Sequence, residues 1–142
     1  MQAEPTTFRD TPCIRLHANG ATALVALHGA HVLSWIPADG CERLFLSDRA
    51  MFDGQAAIRG GIPLVFPQFA ERGLLHKHGF ARTTPWTFHG IDDEAAGAFE
   101  FDGGRLATAV GAGDGRGAVR RVAHHFADSH LARERIGQPD DD

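Results

Sequence analysis

The chain has 142 residues, 43% hydrophobic and 23% charged, with a formal net charge of -4 at pH 7. That length suffices for one domain with its own core, and the acidic balance with dispersed cations excludes the basic field that DNA or RNA binding requires. Cys13 and Cys41 are too few and too far apart for a zinc framework and read as buried thiols. No basic start leads into an apolar run and no 18 consecutive apolar residues occur, so a cytoplasmic protein without a membrane partner is expected.

Cys13 to His17, Ala21 to Leu27, His31 to Ile36 and Arg43 to Leu46 are short apolar-rich runs separated by Asn19-Gly20, His28-Gly29 and Asp39-Gly40. This spacing predicts strands and turns. The run from Ile62 to Phe66 is apolar and branched but holds Pro63, which predicts an extended or edge segment along a pocket floor that helps position Arg59. Trp86 to Phe88 and Ala98 to Phe101 predict a hairpin pair around Asp92-Asp93-Glu94. Helix signals are scarce up to Phe101, and an all-β antiparallel sandwich follows. Trp35, Trp86 and the phenylalanines are assigned to its core and not to a sugar-stacking platform.

The most informative stretch is Ile58 to Trp86. Arg59-Gly60-Gly61-Ile62-Pro63 is followed closely by Lys77-His78-Gly79-Phe80-Ala81-Arg82. Each block combines arginine with glycine among aromatic and branched apolar residues. A guanidinium is a planar fork suited to phosphate, carboxylate or paired hydroxyls, and apolar walls strengthen such bonds by excluding water. His78 adds a ring that donates or accepts near neutral pH, and Gly79 removes a side chain from a ligand's path. Taken singly, either arginine reads as an ordinary surface or ion-paired residue. Together the blocks make Arg59, Lys77, His78 and Arg82 the candidate substrate-binding residues, with sugar phosphates as fitting ligands.

After Phe101 the composition turns to Gly103-Gly104-Arg105 and Gly111-Ala112-Gly113-Asp114-Gly115-Arg116-Gly117 and closes on Asp140-Asp141-Asp142. Two segments are expected: residues 1–102 as a β-sandwich part, and 103–142 as a Gly/Arg-rich tail, irregular or disordered, with the character of a shifted reading frame. An arginine-rich helix is predicted from Val119 to Ile136. His124, His125 and His130 are not assigned to a metal, since adjacent histidines on a helix diverge. His76 and His78 would share a face of a strand, as in the metal word of cupins, but Arg82 lies where a carboxylate is needed. No metal and no cofactor are expected.

The two blocks resemble the signature of hexose-6-phosphate mutarotases, the glucose-6-phosphate 1-epimerase branch of the aldose 1-epimerase family. Ala26-Leu27-His28-Gly29-Ala30-His31-Val32-Leu33-Ser34-Trp35 is similar to that family's early hairpin, and Leu44-Phe45-Leu46-Ser47 with Phe52 to the segment entering the Arg-Gly-Gly-Ile-Pro block. The resemblance covers roughly residues 10 to 102 and implies a large β-sandwich of galactose mutarotase type, here incomplete. It also implies interconversion of the α and β anomers of a hexose 6-phosphate, without a cofactor, by acid–base ring opening. In the family the acid–base pair is a histidine well downstream and a glutamate further on. No matching motif follows Phe101, so no catalytic residue is assigned. Lys77 departs from the glutamine common there and only donates, where glutamine also accepts. The alternative is a carbohydrate-binding β module that keeps the pocket wall without catalysis.

Overall fold

The computed structural model describes residues 1–92, 96–101, 104–111 and 118–124, the last two segments as backbone. Eight strands form two antiparallel sheets. The first holds β1 (Gln2–Phe8), β2 (Thr11–Ala18), β3 (Ala21–Ala26) and β4 (His31–Ile36) in that order. The second holds β5 (Thr87–Ile91), β6 (Gly97–Phe101), β7 (Gly104–Gly111) and β8 (Ala118–His124), also in chain order.

The sheets meet through one apolar cluster: Ile14, Leu16, Ala23, Val25 and Val32 from the first pack with Trp86 and with Phe99 and Phe101 of the second. Phe99 is fully buried, and such burial stabilises by about 1.5–3 kcal/mol per side chain. The opposite face of the first sheet is covered as well. Cys13, Leu24, Ala26 and Leu33 pack there with Ile58, Leu46, Ala50 and Phe52 from the segment after β4. Strands covered on both faces need apolar residues at successive positions, which is why residues 23–26 read as a continuous apolar run, with the half-buried Thr22 before it. Leu33 is the extra residue of a bulge, since Leu24 pairs with Ser34 and Val25 with Val32.

The strands expected around residues 13–17, 21–27 and 31–36 are present, and β5 and β6 pair antiparallel as the expected hairpin requires, residues 93 and 94 lying outside the described residues. β1 carries Pro5 and alternating exposure, a combination tolerated on an edge strand with one partner.

Three expectations are corrected. Arg43 to Leu46 is not a strand; only Leu46 bridges, to Gly60. Glu42 holds this segment differently, its carboxylate accepting from the backbone N–H groups of Trp35 and Leu44, each at 2.9 Å, and from the Ser34 hydroxyl. Partial burial pushes the Glu42 carboxyl up, but these hydrogen bonds outweigh it and leave its pKa below the usual value. Val119 to His124 is strand and not the start of a helix, and strands continue past Phe101. Val110 opposes Val119 and Ala107 opposes Val122 along a seven-pair ladder. Pairing with a neighbouring strand overrides the weak helix propensity of an isolated Ala/Arg segment. The remainder of the expected helix and tail, with His125 and His130, lies outside the described residues. Finally, Cys13 is buried but Cys41 is exposed. Burial pushes the Cys13 thiol up to about 11, against smaller opposing effects of a Phe8 backbone hydrogen bond and the Arg15 charge, so it is inert at neutral pH.

Candidate substrate-binding site

The Arg59 block is built onto the first sheet by hydrogen bonds. His31 is fully buried and its Nε2 donates to the Gly60 carbonyl at 2.6 Å; His28 Nε2 donates to the Ala56 carbonyl at 2.9 Å. Backbone pairs close the rest. Gly61 N–H donates to Phe45 at 2.8 Å, Ser47 N–H to Arg59 at 3.1 Å, and Ile62 exchanges both bonds with Val32. Gly61 has φ +62°, and a Cβ there would collide with the Val32 carbonyl and come within 2.9 Å of His31 Nε2. Only glycine fits that approach. The Arg59 side chain is left exposed on a clamped backbone.

The second block is held by aromatic packing against the second sheet. Phe80 lies edge-on to Phe66 at 6.3 Å and to Phe101 of β6 at 6.1 Å, and Phe101 packs on Trp86 at 4.5 Å. Trp86 is buried, and its Nε1 donates to the Ala81 carbonyl at 3.0 Å. A parallel bridge joins Phe66 to Gly79. Gly79 has φ +70°, and a Cβ there would strike the Phe66 carbonyl. The Ile62 to Phe66 run is therefore an extended connector with single bridges at its ends, as Pro63 indicated.

Arg82 follows in a single 3-10 turn, Ala81–Thr83. Its Nη2 donates to the Lys77 carbonyl at 2.8 Å. Its Nε is buried without a hydrogen-bond partner among the described residues. Lys77 and Arg82 line a depression of about 360 Å³ with Leu75, His76, Gly79, Phe80 and Thr83. None of these lining residues is acidic. Two cations on its wall, the guanidinium held by its bond and the ammonium exposed, with no acidic residue in the lining, suit an anionic ligand.

The structure thus brings Lys77 and Arg82 together and sets the other two candidates apart. Arg59 is not on the wall of this depression. His78 turns to the preceding loop, where its Nδ1 accepts the Ala70 N–H at 3.1 Å and its ring stands edge-on to Phe69 at 5.3 Å. Sequence reasoning passed over His28, His31 and Gln68, which fix the blocks in place. Isolated polar residues within apolar words were their one visible signal.

The antiparallel two-sheet fold is of the mutarotase class. A solved structure described as a "putative mutarotase (YeaD)" from Salmonella typhimurium superposes with a TM-score of 0.56 at 28% identity, covering 87% of this chain and 43% of that one. The solved structure of HI1317 superposes with a TM-score of 0.61 over 76% of this chain and 47% of its own, and at 24% identity shows the fold alone. The family model described as aldose 1-epimerase matches residues 12–103. The chain belongs to the aldose 1-epimerase family.

Among curated relatives, the "putative glucose-6-phosphate 1-epimerase" of Escherichia coli (strain K12) is 47% identical over 78 residues, 53% of this chain and 26% of that protein. The protein of the same description from Cenchrus ciliaris is 47% identical over 70 residues, 49% of this chain and 21% of its own length. The matched stretch thus spans about a quarter of these relatives or less.

Proposed function

We propose that this chain is the sugar-phosphate-binding part of a hexose-6-phosphate mutarotase, a glucose-6-phosphate 1-epimerase, with Arg59, Lys77, His78 and Arg82 as its binding residues. The observation that carries this reading is the depression lined by Lys77 and Arg82 and by no acidic residue, in a family of sugar anomer-interconverting enzymes. Anomer exchange needs a base to take the C1 hydroxyl proton while an acid protonates the ring oxygen. The ring opens, the C1–C2 bond rotates, and the same groups in reverse close it. Phosphate held by Lys77 and Arg82 would leave the sugar ring to the remaining polar groups, with binding energy at the phosphate serving to orient the reacting end. The acid and base are assigned to no residue of this chain. Two free thiols, Cys13 and Cys41, fit a reducing, cytoplasmic setting; no described helix is long and apolar enough to cross a membrane.

Calorimetric titration of the chain with glucose 6-phosphate, glucose and inorganic phosphate tests the binding assignment. The expected order is glucose 6-phosphate tightest, phosphate weaker, glucose weakest. Equal affinity for glucose and its phosphate would overturn the anionic site and favour a neutral carbohydrate-binding module. Magnetisation exchange between the anomers of glucose 6-phosphate should match buffer alone, and acceleration by the chain would show that it holds an acid–base pair after all.

A further inference from the structure

The loop before Lys77 is pegged from within by one side chain. Gln68 is buried; its Nε2 donates to the carbonyls of Ala70 at 3.2 Å and Leu75 at 3.0 Å, and its Oε1 accepts the Leu75 N–H at 3.0 Å. One amide thus closes the turn between residues 68 and 75. Ala70, the residue this turn presents, grips His78 at two points. Its carbonyl accepts the His78 backbone N–H at 2.9 Å, and its own N–H donates to His78 Nδ1 at 3.1 Å.

Both residues of that clamp have left-handed backbones, Ala70 at φ 52° and His78 at φ 67°. Neither alanine nor histidine adopts that region without cost, and two such residues persist together only where surrounding bonds over-determine them. Strain of this kind is expected where a side chain must be aimed. A backbone N–H can only donate, so the Nδ1 it meets must be bare, and a neutral imidazole then carries its proton on Nε2.

We propose that Gln68 is a positioning residue that, through Ala70, fixes His78 as the Nε2–H tautomer, so that the ring offers ligand a donor and never an acceptor. Resting on the assignment of His78 to the sugar phosphate above, this makes Lys77, His78 and Arg82 a set of donors only. Such a set selects ligands by acceptor oxygens, those of phosphate and the lone pairs of sugar hydroxyls, and discriminates against groups that must themselves donate.

Long-range proton–nitrogen correlation on the 142-residue chain labelled with ¹⁵N-histidine, at about pH 8 and above the ordinary imidazole range, reads the tautomer without ligand. The expected pattern for His78 is a protonated Nε2 and a bare Nδ1. An Nδ1–H ring, or an even mixture, would overturn the inference. Gln68→Glu keeps length and volume but replaces the donating NH2 with an oxygen that repels two carbonyls. Its His78 should become a tautomer mixture, and glucose 6-phosphate binding should weaken about tenfold. A folded Gln68→Glu protein whose His78 keeps the pure Nε2–H pattern would show that Gln68 does not position the ring. The parent spectrum needs no variant and decides the tautomer even where Gln68→Glu misfolds. A parent with the expected tautomer but no affinity for glucose 6-phosphate would support the positioning of His78 and refute its assignment to that ligand.

Discussion

The two arginine blocks each combine arginine, glycine and apolar residues but are held by different physics. The Arg59 block is clamped to the first sheet by hydrogen bonds from two buried histidines and from backbone. The Arg82 block leans on the second sheet through Phe66, Phe80, Phe101 and Trp86. Hydrogen bonds are directional and fail when one atom is misplaced, whereas aromatic contacts are broad and tolerate small shifts. The first block therefore fixes a backbone and leaves its arginine exposed. The second engages its arginine with the Lys77 carbonyl and so fixes the guanidinium itself.

The largest effect that would separate the two is expected from glycine substitution. Gly61→Ala forces alanine into φ +62° against the Val32 carbonyl and His31, and should destabilise by about 3 kcal/mol. Gly79→Ala strikes the Phe66 carbonyl and should cost as much by itself. Denaturant unfolding measures both; parental stability in either variant would mean that its block yields readily. His31→Leu comes next. It leaves the Gly60 carbonyl without its buried donor and should cost about 2 kcal/mol, while an equally stable variant would show that the carbonyl finds another partner.

Smaller and more selective is the arginine pair. Arg59→Ala should leave unfolding within about 0.5 kcal/mol of the parent, as an exposed substitution does, yet weaken glucose 6-phosphate binding about tenfold. Arg82→Ala should lower both stability, by about 1 kcal/mol, and affinity, because it removes the bond to Lys77 along with the charge. Calorimetry beside denaturant titration distinguishes them, and identical profiles would erase the contrast.

The smallest expected effect concerns Glu42, which ties β4 to the segment supporting Arg59. Its folded-state pKa is depressed, so its stabilising contribution is present above the unfolded pKa and is lost as pH falls through the folded value. Glu42 is exposed and screened, so Glu42→Gln should cost only about 0.5–1 kcal/mol at neutral pH. That difference should shrink on acidification. A pH-independent gap would mean that the carboxylate charge plays no part.

Much of the fold was legible because alternating and continuous apolar runs report burial directly. Ile14, Leu16, Val25 and Phe99 were readable as core, and Asn19-Gly20 as a turn. β1 was not legible, since Pro5 and polar neighbours mask an edge strand that takes its order from pairing with β2. The strand at Val119 was not legible either. Its composition suits a helix, and only β7 alongside decides otherwise. At the site, residue types pointed to Arg59, Lys77, His78 and Arg82, but their relations did not follow from spacing.

By itself, the sequence determined an all-β chain of the aldose 1-epimerase family with two glycine-bearing arginine words, because burial pattern and local turn chemistry are written residue by residue. Only the tertiary structure decided that Lys77 and Arg82 share one depression while Arg59 stands apart and His78 faces Ala70. Those outcomes depend on which carbonyl each donor meets: for His31 the remote Gly60, and for Arg82 and Gln68 the nearby Lys77 and Ala70. A hydrogen bond is satisfied by geometry at about 3 Å, and that geometry exists only once the chain has folded: His31 meets Gly60 across separate segments, and the bonds of Gln68 and Arg82 form as the loop around them closes.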